Sequence, residues 1–498
     1  MSAKTQVRPG LLSLVLGLIH LALSTFGSAD SGSFNFRLNF EPSTLDWTYG
    51  DTPILVTLNT MRGLFRVDES GSVIADLVQS YKKSPDEKTW NFKLRPEIKW
   101  SDGVTLTAQQ IVDGIERLRS PQTGSTYSHF VSGIDKISAP SGLEVEIRLK
   151  RKIPFLPSLL SHWVTYPVRN DIIAKYKDYG TAPSHMAFLG PYKVDSWNNG
   201  EIALAVNPYN LDPPLIKNIK AIVVTEDETA FNLYQSGKLD FVTDPGISAK
   251  SHPDYRVRKT PILYFIAVTK NHPITQNVKA LQALSLALNR YEISKVHSVE
   301  HRITFDICPP DFCKHRFSVN DIQAKELLQS SGIGDLAQLP PLTLYYFENS
   351  SMRDLAQWVQ SQWKSKLGVQ VVLESTDVKS YWAKMSKKPS PLFLNSKGAS
   401  YQDPHTYFEL FESTNPQNVG KWNDATYDRL IQAASQEVSS EKRDELYARA
   451  TTRAVWENPA LIPLYFKGGP YLIRPNIDGF KSNPLTGIDF RPLKWRTH

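Results

Sequence analysis

The chain has 498 residues, 41% hydrophobic and 21% charged, a composition ordinary for a soluble globular protein and a length too great for one compact core. Fifty-seven Lys and Arg against 50 Asp and Glu give +7. These charges are spread along the chain with no basic run interleaved with aromatics, so nucleic acid is not an expected partner.

Residues 1–29 read as a secretory signal. Lys4 and Arg8 make a positive start, Leu11 to Leu23 is an apolar run broken by Ser13 and His20, and Gly27-Ser28-Ala29 offers small residues for cleavage before Asp30. The run is short for a transmembrane helix, though an uncleaved anchor is the competing reading. The region has no cysteine for lipid attachment, and no later segment is apolar enough to span a membrane. Lys4 and Arg8 are two of the 57 basic residues, so the exported chain carries +5.

From Leu77 to Pro121 the chain is dense in signals. Trp90, Phe92 and Leu94 alternate with Asn91 and Lys93, the period of a half-buried strand. Pro96 stops it, and Ser101-Asp102-Gly103 is a turn. Thr107 and Gln110 form a capping box, after which Ile111, Ile115 and Leu118 share a helical face. Cys308 and Cys313, an even pair in an exported chain, favour a disulfide, whose small loop adds about 2 kcal/mol. A metal set from His297, His301, Cys308, Cys313 and His315 competes with it, and so do two free thiols. Leu355, Trp358, Val359, Trp363 and Leu367 mark a helix ended by Gly368 between strands Leu342–Tyr346 and Val369–Leu373, a βαβ unit within a mixed α/β class. No nucleophile elbow, P-loop, dinucleotide fingerprint or H-E-x-x-H motif occurs.

The segment WNFKLRPEIKWSDGVTLTAQQIV resembles the signature of the extracellular solute-binding proteins of family 5, the peptide- and nickel-binding receptors of ABC importers. Gly190-Pro191-Tyr192, Asn207-Pro208-Tyr209, Ser236 to Asp240, Ala283 to Arg290, Trp422-Asn423-Asp424 and Ile462 to Tyr465 recur in the family's order. The resemblance implies a two-lobed periplasmic-binding-protein fold of type II with an extra subdomain inserted in lobe one. Lobe one would combine 30–59, 187–262 and 466–498, the inserted subdomain 60–186, and lobe two 263–465. Hinge crossings would lie near Thr260–Tyr264 and Leu464–Phe466.

The resemblance also implies a cleft between the lobes. The oligopeptide-binding members carry a Trp-Cys-Ala-Asp-Tyr segment whose Asp pairs with the peptide's α-amino group. Here that segment reads Lys397-Gly398-Ala399-Ser400-Tyr401, with Ser400 in place of the Asp and Lys397 in place of the Trp, while Leu394 takes a cleft arginine's position. A hydroxyl cannot offset the burial of an ammonium as a carboxylate can. The loop holding Tyr49, Gly50 and Asp51 matches a cleft-lining loop of lobe one, and Asp51 could supply the missing carboxylate or simply cap a turn. Tyr127 matches a ligand-facing tyrosine of the subdomain; Tyr264 and Phe265 match cleft aromatics, with core packing as the competing role. Asp403 is read as structural. The implied function is a periplasmic substrate-binding protein of an ABC importer. It would bind an oligopeptide as a monomer and dock on an inner-membrane permease. Together with the absence of catalytic motifs, the family resemblance leaves no enzyme, catalytic residue, metal centre or cofactor expected. A different ligand on the same scaffold, namely a metal chelate, sugar or small anion, or a sensor without a transport role, are the alternatives.

Overall fold

The computed structural model describes residues 32–49, 52–293, 301–317, 323–485 and 487–496. One sheet carries the architecture. Its strands lie side by side in the order Val371–Thr376, Leu342–Phe347, Leu392–Gly398, Tyr255–Val268, Leu461–Ile473, Phe241–Thr243, Ser33–Leu38, Asn218–Val223, Glu201–Val206 and Tyr192–Asn198. The short strand Arg302–Ile303 pairs with Leu461–Ile473 off this path.

The two central strands are the longest, with 14 and 13 residues, and they are antiparallel partners in three successive registers, with a further shift between Tyr264 and Phe265. Tyr255–Lys259 faces Leu472–Gly468, whereas Leu263–Ala267 faces Phe466–Leu461, with a shift between Lys259 and Leu263. The Thr260 hydroxyl donates to the Lys467 carbonyl at this break. Gly469 sits where a Cβ would come within 2.4 Å of the Thr260 methyl, so a side chain there would collide with Thr260 across the ladder.

Alternation sorts the side chains of the second lobe to two faces. Leu263, Phe265 and Ala267 enter one core with Phe393, Tyr407, Phe408, Tyr427 and Tyr447. Ile266 and Val268 enter the opposite core with Leu392, Leu394 and the helices Val278–Ala287 and Ser350–Leu367. The strand–helix–strand unit over Leu342–Thr376 is present: its strands are parallel neighbours, and Gly368 ends the helix with φ of 73°.

The first lobe's core runs from Phe34 to Leu493 and continues without a gap into an inserted four-stranded antiparallel sheet. In that sheet Thr89–Leu94 buries Trp90, Phe92 and Leu94, and the capping box of Thr107 and Gln110 starts the helix Ala108–Arg119. Gln110 also accepts from the Trp100 indole at 2.9 Å, tying the helix start to the turn before it.

Cys308 and Cys313 are bonded and buried. His315 donates or accepts toward Asp444 at 3.1 Å and Thr451 at 3.2 Å, and His301 stacks on Tyr465 at 4.3 Å. The thiolates needed for the competing metal set are therefore consumed; His297 lies outside the described residues. No described helix is long and apolar enough to cross a membrane.

Gly190 explains its place in the Gly190-Pro191-Tyr192 landmark. Its N–H donates to the Thr60 carbonyl at 2.8 Å, and a Cβ would lie 2.5 Å from the Thr60 carbonyl carbon. Gly190→Ala should lower stability by about 2–3 kcal/mol through this backbone clash. Gly142→Ala, where nothing lies within 4 Å, should be near neutral. Urea unfolding of both variants checks the contrast.

Candidate ligand-binding site

A cavity of about 420 Å³ lies between the lobes and is closed by three walls. The helix Ile54–Thr60 presents Ile54 and Leu58 from the first lobe, joined by Met61, Arg62, Arg66 and the segment around Asp489. The inserted subdomain contributes Tyr127, His162, Trp163 and Tyr166. The second lobe contributes Pro261, Ile262 and the run Ser396 to Ser400.

Strand pairing places that run. Leu263 is opposite Lys397 and Ile262 opposite Gly398, so the strand Leu392–Gly398 leaves the sheet where the central strand changes register. Lys397 Nζ lies 4.0 Å from Glu409 Oε1, and the side chain is 11% exposed. Burial lowers the lysine's pKa, with Glu409 opposing. Burial pushes Glu409 up to about 7, with Lys397 opposing. Glu409 Oε2 accepts from the Tyr401 hydroxyl at 3.0 Å.

The other charges on the walls are arranged in pairs. Arg62 donates to Asp76 at 3.1 Å, and Arg491 donates to Asp489 at 2.9 Å. Arg66 lines the cavity and makes no hydrogen bond or ion pair with any described residue. Burial, with Lys397 as the second cause, lowers His129 to about 4 and His162 to about 3. Both imidazoles are neutral at pH 7.

The residues named from the sequence divide. Tyr127, Lys397, Gly398 and Ser400 line the cavity. Tyr127 packs edge-on against Trp163 at 5.3 Å. Tyr49 is a partly exposed loop residue away from it, and Gly50 and Asp51 lie outside the described residues. Tyr264 stacks on Tyr465 at 5.0 Å, and Phe265 is buried against Phe411 at 5.7 Å. Neither reaches the cavity, because strand alternation turns both into the lobe-two cores. Tyr401 is also absent from the walls. It is fully buried, its ring stacked on Phe155 and met edge-on by Phe130, both from the inserted subdomain. Asp403 holds Arg443 through two bonds of 2.7 and 2.6 Å. Sequence reasoning missed Arg62, Arg66, Asp76, His162, Trp163, Asp489 and Arg491. They are scattered over the chain, and no local period marks them.

The geometry is that of a binding cleft, and the comparisons agree. A profile described as Bacterial extracellular solute-binding proteins, family 5 Middle, matches residues 72–418. The chain belongs to this family. The dipeptide-binding protein of Lactococcus lactis is 28% identical, covering 96% of this chain and 97% of that one. The probable deoxycholate-binding periplasmic protein YgiS of Escherichia coli is 26% identical, covering 93% and 94%. Among solved structures, the murein tripeptide binding protein MppA of Escherichia coli superposes with a TM-score of 0.84 at 22% identity, covering 94% of this chain and 99% of that one. These likenesses place the chain on the two-lobed fold; the named relatives are binding proteins, periplasmic in the two Escherichia coli cases by name.

The buried histidines fix an acid response for this family member. Unfolded, each titrates near 6.5; folded, burial delays protonation to about 3 for His162 and His405. The unfolded chain therefore binds protons that the folded chain refuses, and stability falls as pH drops from 6.5 toward 3. Glu409 and Glu412, both raised to about 7 by burial, work the other way between 4.5 and 7. Exchanging His162 and His405 for Gln removes two refused protons. The slope of stability against rising pH should become less positive, or more negative, by up to about 2.7 kcal/mol per pH unit between 4.5 and 6.5. Denaturant unfolding of wild type and double variant across that range measures it, whatever the variant's absolute stability.

Proposed function

We propose that the protein captures a short peptide between its lobes and delivers it to an inner-membrane permease of an ABC importer, after export directed by residues 1–29. Binding, not catalysis, is the task. The observation that carries this reading is the cavity itself, walled by both lobes and the inserted subdomain and lined by aromatic and aliphatic side chains interleaved with charged and polar groups. The dipeptide- and tripeptide-binding relatives support a ligand of that kind.

Closure has a physical basis in this chain. The register break between Lys259 and Leu263 supports a bending point where the long strands pass from one lobe to the other. Across the mouth, Tyr401 of the second lobe lies between Phe130 and Phe155 of the subdomain, and the Arg443 guanidinium sits 5.0 Å from the Phe155 ring centre. These contacts belong to a closed form and are lost when the lobes part.

The relative named for deoxycholate supports a second reading. Ile54, Leu58, Met61, Trp163 and Ile488 line an apolar body, and Lys397 and Arg66 lie on its walls, a combination that also suits an amphipathic acid. Native mass spectrometry of protein purified from its own periplasm decides between the two, since peptide and steroid masses differ. A chain found intact from Met1 in the cytoplasm would sink the transport reading.

Phe155→Ala should weaken binding of the retained ligand by about tenfold, because it removes an aromatic contact made only on closure. Calorimetry gives the affinity, and small-angle scattering should show a more open average shape with ligand present. Unchanged affinity would mean that the Tyr401 contact does not hold the closed form.

A further inference from the structure

We propose that the cavity recognises its ligand by a carboxylate, through Lys397 and Arg66, and not by an ammonium group. This rests on the peptide reading above and names the end of the ligand that is read.

The wall charges carry the argument. Asp76 and Asp489, the two described carboxylates on the walls, are each already held by a guanidinium, Arg62 and Arg491. An incoming ammonium would have to compete with those arginines in place. Ser400, at the position where an acid would be needed, offers only a hydroxyl, and its backbone N–H is taken by the Thr406 hydroxyl at 2.9 Å. The cations are in the opposite condition. Arg66 makes no hydrogen bond with a described residue, and Asp68 and Asp489 are its electrostatic neighbours. Lys397 makes no hydrogen bond with a described residue, and the described carboxylate beside it, Glu409, stands at 4.0 Å with its other oxygen already engaged by Tyr401.

Burying an ammonium with its donors unfilled is costly unless an acceptor arrives. A ligand carboxylate entering the cavity supplies oxygens for a charge-assisted bond to Lys397, and the Arg66 guanidinium adds positive potential from the first-lobe wall of the same cavity. The groups around Lys397 add no competing anion within reach except Glu409. His129, His162 and His405 are neutral, and Asp403 is committed to Arg443. The same chemistry can come from a peptide's C-terminus, from an acidic side chain or from a non-peptide acid.

The test uses the full-length exported protein and native mass spectrometry with randomised tripeptide mixtures in three forms: free, N-acetylated and C-terminally amidated. Acetylation should cost less than about threefold in affinity, and amidation about tenfold or more. Amidated peptides that survive should be those with Asp or Glu, which separates a side-chain source from the C-terminus. Lys397→Met, which keeps volume and removes charge, should erase most of the acid-over-amide preference. Arg66→Gln, on a partly exposed wall position, should reduce it independently should the first variant fold poorly. Ser400→Asp should turn the preference toward free amines. Dodecanoate and its methyl ester serve as the non-peptide pair.

Loss on acetylation with tolerance of amidation overturns the inference while leaving the peptide reading intact. So does an acid-over-amide preference unmoved by both variants. If no peptide binds but dodecanoate does, its ester does not, and Lys397→Met abolishes the difference, the carboxylate inference stands and the peptide reading falls. If none of the probes binds, both fall.

Discussion

The pairing of Tyr255–Val268 with Leu461–Ile473 is the constraint on which the rest depends. Each strand begins in one half of the sheet and ends in the other, so both halves share one hydrogen-bonded ladder. The ladder slips between Lys259 and Leu263 and again between Tyr264 and Phe265, bulge-like breaks that bend the shared strands where the halves meet. The slip also delivers the ligand wall. The partner strand Leu392–Gly398 pairs up to Ile262 and then departs, which leaves Lys397 and Gly398 at the seam between the lobes. Hinge geometry and site geometry therefore have one origin, and glycine at 469 avoids a collision with the Thr260 methyl beside the break.

Beside that seam, two buried ion pairs show how differently the same chemistry can be used. Arg443 and Asp403 form a fork with two short bonds, and Arg443 also reaches the Tyr447 hydroxyl at 3.1 Å. Most donors and acceptors there are met, and the pair fixes the loop that precedes the short helix His405–Phe408. Lys397 and Glu409 stand 4.0 Å apart with one carboxylate oxygen left without a partner. Such a pair forfeits much of the Coulombic gain that would repay desolvation, and both groups are driven toward their neutral forms. A pair built for stability would look like the first; the second leaves binding capacity on the cavity wall.

Local structure was legible in the sequence wherever a short-range rule decided it. The strand of Trp90, Phe92 and Leu94, the capping box of Thr107 and Gln110, the helix stopped by Gly368 and the Cys308–Cys313 bridge all follow from spacing within a dozen residues. The cleft was only half legible. Lys397 and Ser400 stood out because they depart from the family's pattern, and the structure sets both on the wall. Tyr264, Phe265 and Tyr401 did not separate from core residues, since an aromatic on a strand or a closed loop has the same local sequence whichever face it takes. Arg66 and Arg491 come from a short hairpin strand and the last turn of the chain, and only the fold brings them to one cavity.

The position of Tyr401 joins these strands of reasoning. Its hydroxyl donates to the carboxylate that faces Lys397, while its ring is held by Phe155 and Phe130 of the opposite lobe. The wall charge and the interlobe contact thus share one side chain. An anion that draws Lys397 toward the cavity relaxes the pull on Glu409. Lys397 is also the neighbour that favours ionised Glu409 against burial, so the charge state of the acceptor that holds the Tyr401 hydroxyl would respond to the ligand. On the reading proposed above, ligand charge and the interlobe contact would thus be linked through three consecutive contacts.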